Sequence, residues 1–198
     1  MLTFNKRIEI IGYIDDININ KSDQLFEGKR ILNSDELLKK LNERGHVAFV
    51  LAFGHCSRRI EIGEMLTEKG FEVLNVIHPQ AIIAPDVLIE AGAVILAGAI
   101  IDPGCIINQY TIVNNGAIIS HNCIVGKGTH ICPGVNIAGK TTIGEGCWIG
   151  IGSTIINNIT IGDHVFLGAG SLVTNDLPSG YLAYGNPAKI IHKMDKEF

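Results

Sequence analysis

Two histidines, His121 and His130, stand nine residues apart. Imidazole is the side chain whose ordinary proton affinity suits acid–base work near neutral pH. An accessible imidazole could take a proton from an attacking amine or hydroxyl, which is worth about 10²–10⁴-fold in rate. A second stretch with chemical content is Gly54-His55-Cys56-Ser57-Arg58-Arg59. Ser57 is expected to cap a helix there, and the free N–H groups of a helix start favour an anion. Arg58 and Arg59 would strengthen a phosphate or nucleotide site; the alternative is an ordinary capped helix with two solvated arginines. No G-x-G-x-x-G is present, so dinucleotide binding is not supported. The five cysteines form no C-x-x-C pair. They read as reduced, small hydrophobes, with Cys105 and Cys123 stacked.

The element that must position these groups is a repeat. Over residues 83–173 an aliphatic residue returns at every sixth place, 16 times without a slip, from Ile83 and Ile89 through Ile119 and Val125 to Leu167 and Val173. Four places on, the residue is usually small, as at Ala93, Cys105, Thr111, Cys123 and Ser153; the place before that is often Gly. A period of six is neither helical nor a two-residue alternation. It is the hexapeptide signature of a β-helix, a prism in which three repeats make one coil. The aliphatic and small residues point inward and stack about 4.8 Å apart along the axis, giving slightly more than five coils, roughly 25 Å.

The repeat sorts the histidines by azimuth. His121 occupies a corner where other coils carry Pro103, Gly139 and Asn157. Nothing in the repeat requires histidine there; the alternative is a solvated corner residue. His130 lies on an outer face in a column with Val94, Ile112, Trp148 and Phe166. So apolar a column should not meet water. It is read as a subunit interface, with a cyclic trimer as the natural assembly and His130 at an intersubunit cleft. The alternative is an interface histidine without chemistry. Zinc held between subunits would call for a histidine pair about five residues apart plus a third ligand. Neither is present, so no metal is expected.

Residues 1–78 read as a small parallel α/β domain. Its expected elements are a strand at 8–15, a helix capped by Ser34 with Leu37, Leu38 and Leu41, and a strand at 46–53. A helix bearing Ile60, Ile62, Met65 and Leu66 and stopped by Gly70 follows, then a strand at 71–77. The β-helix and a short C-terminal tail take residues 79–198. The net charge of −4 gives no basic footprint for nucleic acid. No apolar run reaches spanning length, and the first residues lack a signal peptide's apolar core, so the chain reads as cytoplasmic.

Taken together, Tyr13-Ile-Asp-Asp16, Ala52-Phe-Gly54 with its arginines, Ile77-His-Pro79, Ser120-His121, His130 and Gly185-Asn-Pro-Ala188 resemble a known family. It comprises the hexapeptide sugar acetyltransferases: sialic acid O-acetyltransferases and N-acetyltransferases of nucleotide-linked 4-amino sugars. The resemblance covers nearly the whole chain. It implies a left-handed parallel β-helix, a small Rossmann-like α/β domain, a homotrimer with intersubunit sites, and acetyl-CoA as co-substrate. It also implies that His121 is the general base, that His130 lies near the thioester and pantetheine, and that the Gly139 N–H faces the thioester oxygen. Ile151 and Ala169 would lie along the CoA arm; Asp15, Asp16 and Gly54 would hold the nucleotide sugar. Cys123 points inward, so no cysteine nucleophile is expected.

Two departures from the family stand out. The family's opening strand and G-x-x-G-H-G turn are missing, and Asn122 stands where many members carry a carboxylate after the catalytic histidine. The acceptor expected is a nucleotide-linked 4-amino-4,6-dideoxy sugar, with sialic acid as the alternative. A carbonic-anhydrase-like metalloenzyme and a non-catalytic β-helix assembly protein are the readings from other classes.

Overall fold

The computed structural model describes residues 9–15, 25–26, 28–32, 41 and 47–194. They fall into two compact units, divided between Ala48 and Phe49. In the first, Tyr13–Ile14 runs parallel to Ile31 and Leu32, and Leu25–Phe26 pairs antiparallel with Lys29 and Arg30 across a turn at Gly28. The strands at 25–32 carry no clear sequence signal. The helix expected after Ser34 lies outside the described residues except for Leu41, which is helical.

The second unit is a parallel β-helix of two-residue strands, each paired with the strand 18 residues away. Face 1 carries Val76–Ile77, Val94–Ile95, Ile112–Val113, His130–Ile131, Trp148–Ile149 and Phe166–Leu167. Face 2 runs from Ile82–Ile83 through Ile118–Ile119 and Asn136–Ile137 to Leu172–Val173. Face 3 runs from Leu88–Ile89 through Ile124–Val125 to Thr160–Ile161. Ile118 pairs with Asn136 and Ile119 with Ile137, one coil apart, and every coil repeats that register. Fourteen of the 16 inward aliphatic positions are at most 2% exposed; Ile83 and Ile89 of the open first coil are half-buried. Each buried side chain of this size contributes about 1.5–3 kcal/mol.

The small inward position does more than fit. The Thr111, Thr129, Thr141 and Ser153 hydroxyls each donate to the carbonyl 15 residues on, at 2.7–3.2 Å. Cys105, Cys123 and Cys147 do the same with their thiols. Reading these cysteines only as small hydrophobes missed that bond. The place before the small residue is left-handed at every corner, with φ from 52° to 75° over residues 92–170. Glycine is the cheapest occupant there, and Asn tolerates it better than most residues. Asn122 sits at such a place with φ 58°.

Two expectations are corrected, and the tail gains a structure. Residues 71–77 are not one α/β strand: Glu72–Val73 is separate, and Val76–Ile77 is the first strand of face 1, paired with Val94 and Ile95. The strand expected over 46–53 is limited to Ala48–Phe49 among the described residues, and Val50 is 41% exposed. The C-terminal tail is an antiparallel hairpin, Tyr181–Gly185 with Ala188–Lys193, that extends face 1 beyond Phe166–Leu167.

The single helix among the described residues of this unit, α1 (Cys56–Glu68), packs on the prism. His55, not Ser57, is its N-cap: the His55 ring nitrogen accepts from the Arg58 N–H at 3.4 Å. Gly70 (φ 80°) ends the helix as expected. Its buried stripe is Cys56, Arg59, Gly63 and Leu66, spaced three or four apart, rather than the Ile60/Ile62/Met65 face. Gly63 lies against the ring of buried Tyr110; a Cβ there would stand 2.6 Å from the ring.

Candidate active site

The corner between faces 2 and 3 stacks Pro103, His121, Gly139 and Asn157. Backbone bonds tie the column together: Asn122 N–H to Pro103 O, Lys140 N–H to His121 O and Asn158 N–H to Gly139 O, at 2.9–3.1 Å. His121 and Asn122 are exposed, whereas Gly139 is buried beneath the imidazole. An added Cβ at Gly139 would stand 2.5 Å from His121 Nε2, so only glycine lets the ring settle there. His121 Nδ1 lies 3.0 Å from Asn122 Oδ1. An amide oxygen only accepts, so Nδ1 carries the proton and Nε2 offers its lone pair above Gly139. The coil-to-coil bonds on either side use Ala138 N–H and Lys140 N–H. Beside this corner, Ile118, Ser120, Asn136, Ile137, Ala138, Thr154 and Ile155 line a shallow groove of about 170 Å³ on face 2. The corner therefore combines an oriented base, a glycine backbone under it and a groove leading to it.

Ile151 and Ala169 stack one coil apart on the opposite edge of face 2, at the corner shared with face 1. Both are exposed and each precedes a left-handed glycine, Gly152 and Gly170, over which there is open space. His130 lies on face 1 and is only 7% exposed. Its Nδ1–H donates to the Gly54 carbonyl at 3.3 Å, and its Nε2 accepts from Asn114 Nδ2 at 3.0 Å. The Trp148 ring meets it edge-on at 4.6 Å between centroids. Burial first, then Arg59, pulls the His130 proton affinity below its ordinary value, with the Gly54 bond opposing.

The reading of this column as a subunit interface is not needed to cover Ile112 and His130, while Val94, Trp148 and Phe166 stay partly exposed. Ile112 and His130 are already buried within one chain, beneath the turn before α1, and the Cys56 thiol donates to the Cys147 carbonyl at 3.3 Å. Neither expectation for the arginines holds for Arg59, which is fully buried and bonded to main-chain carbonyls. Arg58 pairs with Glu61 at 2.7 Å.

One chain thus brings His121, Asn122 and Gly139 together, and Gly54 with His130, but not the two sets with each other. His121 stands at the corner opposite face 1, with the prism core between. Asp15 belongs to the first unit, and Asp16 lies outside the described residues. Asn114 was missed by sequence reasoning, although within the column His78, Leu96, Asn114, Cys132, Gly150, Gly168 it stands out as a polar residue between Leu96 and Cys132. Among the described residues no three His, Cys, Asp or Glu side chains are grouped to hold a metal, and no helix is long and apolar enough to cross a membrane.

A family model described as bacterial transferase hexapeptide (six repeats) matches residues 140–175. Comparison with curated protein sequences returns no match. Among solved structures, PerB from Caulobacter crescentus in complex with CoA and GDP-perosamine is 34% identical, covering 83% of this chain and 80% of its own, with a TM-score of 0.81. The acetyltransferase domain of PglB from Neisseria gonorrhoeae FA1090, in complex with acetyl coenzyme A, is 31% identical over 91% of this chain and 85% of its own, with a TM-score of 0.83. WeeI from Acinetobacter baumannii AYE, 24% identical over 91% and 85%, matches in fold with a TM-score of 0.79.

Proposed function

The chain belongs to the hexapeptide-repeat sugar acetyltransferases, and we propose that it moves the acetyl group of acetyl-CoA onto the amino group of a nucleotide-linked 4-amino-4,6-dideoxy sugar. The observation that carries this is the His121 corner: an exposed imidazole whose Nδ1–H is held by Asn122 and whose Nε2 lies over Gly139. His121 Nε2 accepts the amine proton as the nitrogen attacks the thioester carbonyl. The Gly139 N–H stabilises the developing oxyanion. The C–S bond then breaks and CoA leaves as the thiol, with the proton returned by the imidazolium. No covalent enzyme intermediate is needed. The groove on face 2 takes the acyl end of the cofactor, and Ile151 and Ala169 flank its arm. Gly54 serves the nucleotide sugar, as the family resemblance implies. A sialic acid acceptor has no counterpart among the relatives described above.

Because His121 and His130 lie on opposite sides of the core, a site that uses both takes them from two copies of the chain. A cyclic trimer of three-sided prisms provides such sites. Such a contact joins the His121 corner of one copy, with uncovered apolar residues beside it such as Ile124 (39% exposed), to face 1 of the next. We read the chain as cytoplasmic, which its five free thiols support.

The test is His121→Ala, assayed for CoA release with acetyl-CoA and a GDP-linked 4-amino sugar. The expected result is a kcat lower by about 10²–10⁴-fold with calorimetric CoA affinity unchanged. Wild-type turnover in the variant would remove His121 from the role. Absence of CoA binding by the wild-type protein would remove the acetyltransferase reading itself.

A further inference from the structure

The least ordinary group in the molecule is Arg59. It is 0% exposed, and its partners among the described residues are main-chain carbonyls rather than carboxylates. Nε donates to Tyr110 O at 2.8 Å, Nη1 to Leu51 O at 2.8 Å and Phe53 O at 2.7 Å, and Nη2 to Gly92 O at 3.2 Å. The Phe53 ring lies 5.8 Å from the guanidinium carbon. Burial lowers its proton affinity only to about 10, so it stays a cation at neutral pH. Burying an unneutralised charge is expensive unless its donors are used. Here four of five N–H groups are used, and they gather three chain segments: the turn into α1, the corner at Gly92 and the corner at Tyr110.

The turn so held ends at Gly54, whose carbonyl meets His130 Nδ1. With Nδ1–H committed to a carbonyl, Nε2 can only accept, so Asn114 must turn its Nδ2 toward the ring. Asn114 Oδ1 in turn accepts the Asn115 N–H at 2.8 Å. Asn115 stands in the corner column that runs from Ala97 through Pro133 to Ile151 and Ala169. We propose that Arg59 is a positioning residue for this half of the site: it pins the turn so that Gly54 selects the His130 tautomer, and His130 then sets the donor pattern of Asn114 at the corner where the cofactor arm runs. The kinetic consequence rests on the acetyltransferase reading; the tautomer does not. The titratable groups packed around the ring are Arg59 and Cys56 of α1, and burial pushes the Cys56 thiol up to about 11, leaving it neutral. Lysine cannot replace this arginine in kind, because three donors on one nitrogen cannot span four carbonyls on three segments.

The experiment reads the imidazole nitrogens of the full-length protein by long-range ¹H–¹⁵N NMR at neutral pH, with His130 assigned by the signal lost in His130→Asn. The wild type should show a single Nδ1–H tautomer. Arg59→Lys, with Arg59→Gln made alongside, should show both tautomers and a KM for acetyl-CoA about tenfold higher with a smaller change in kcat. A wild-type proton on Nε2 overturns the proposal. So does a folded Arg59 variant that keeps the single Nδ1–H tautomer and the wild-type KM, because Arg59 would then be structural only. Should neither variant fold, the wild-type tautomer decides. A wild type that binds no acetyl-CoA defeats the functional reading and leaves the tautomer result to judge Arg59.

Discussion

Gly139→Ala isolates the placement of the base. The Cβ it adds would stand 2.5 Å from His121 Nε2, 2.6 Å from Cε1 and 3.0 Å from Cδ2. Ordinary contact begins at 3.4 Å, so the ring must retreat by roughly 0.9 Å, and misplacement of about 1 Å can cost about 10²-fold in rate. Gly139 is not among the left-handed residues, so alanine suits its backbone. The imidazole is exposed and can swing outward, forfeiting at most its bond to Asn122, about 0.5–1.5 kcal/mol. The main-chain N–H that would serve the oxyanion is retained. Thiol release under steady-state conditions should therefore show kcat down about 10²-fold, with CoA affinity by calorimetry unchanged and Tm within about 4 °C of wild type. A variant with kcat within threefold of wild type would mean the ring's seat over Gly139 has no bearing on turnover. A parallel loss of CoA affinity would mean the substitution damaged the groove instead.

Asn122→Asp keeps a residue type that tolerates φ 58° and places a carboxylate beside His121 Nδ1. It should raise kcat by up to about tenfold by stabilising the imidazolium formed on proton transfer; an unchanged kcat would show that orientation alone matters. The depressed proton affinity of His130 gives stability a defined pH dependence. Below about 6.5 the unfolded chain binds a proton that the native ring refuses, so stability falls as pH drops from there to the lowered native value and then levels. Thermal melts from pH 8 to 5 should fall less steeply for His130→Gln than for wild type, and parallel curves would contradict the assignment. Thr129→Val removes a hydroxyl that donates to Gly144 O at 2.7 Å and accepts the Cys147 N–H at 2.9 Å, so denaturant melts should show a loss of about 2–3 kcal/mol. Ile124→Glu places a charge on an uncovered apolar residue of face 3 and should convert the proposed trimer to monomers in analytical ultracentrifugation, with activity lost alongside; an intact, active trimer would move the interface elsewhere.

How much of this was legible beforehand follows from where each interaction finds its partner. The inward positions meet only their own kind one coil away, so their chemistry repeats every six residues and survives as a pattern; the pairing of Ile118 with Asn136 and Ile119 with Ile137 could be counted out in advance. The same counting put His121, Gly139 and Asn157 in one column, and Asn114 was available to it. The joint between α1 and the prism was not legible. Arg59 looks like a surface arginine because the four carbonyls that hold it, at 51, 53, 92 and 110, belong to the main chain and carry no side-chain signal. His55 displaced Ser57 as the cap because its ring nitrogen can accept a first-turn N–H, that of Arg58, a role a preference scale ranks low for histidine.

The first coil of the prism was hidden for a related reason. Val76–Ile77 has no glycine corner before it, and its neighbour Asn75 supplies an amide oxygen to the Ala93 N–H. Asn75 thus fills the small residue's place and makes the bond that the Thr129 hydroxyl makes to the Cys147 N–H, but its side-chain type does not announce the repeat. The Gly54–His130–Asn114 contacts lie in the middle of the repeat, where the turn before α1 closes over face 1. A repeat alone makes an inert prism. Its chemistry begins where the pattern is interrupted, at His121 on a corner the coil did not need to fill and at His130 under a turn the repeat does not encode.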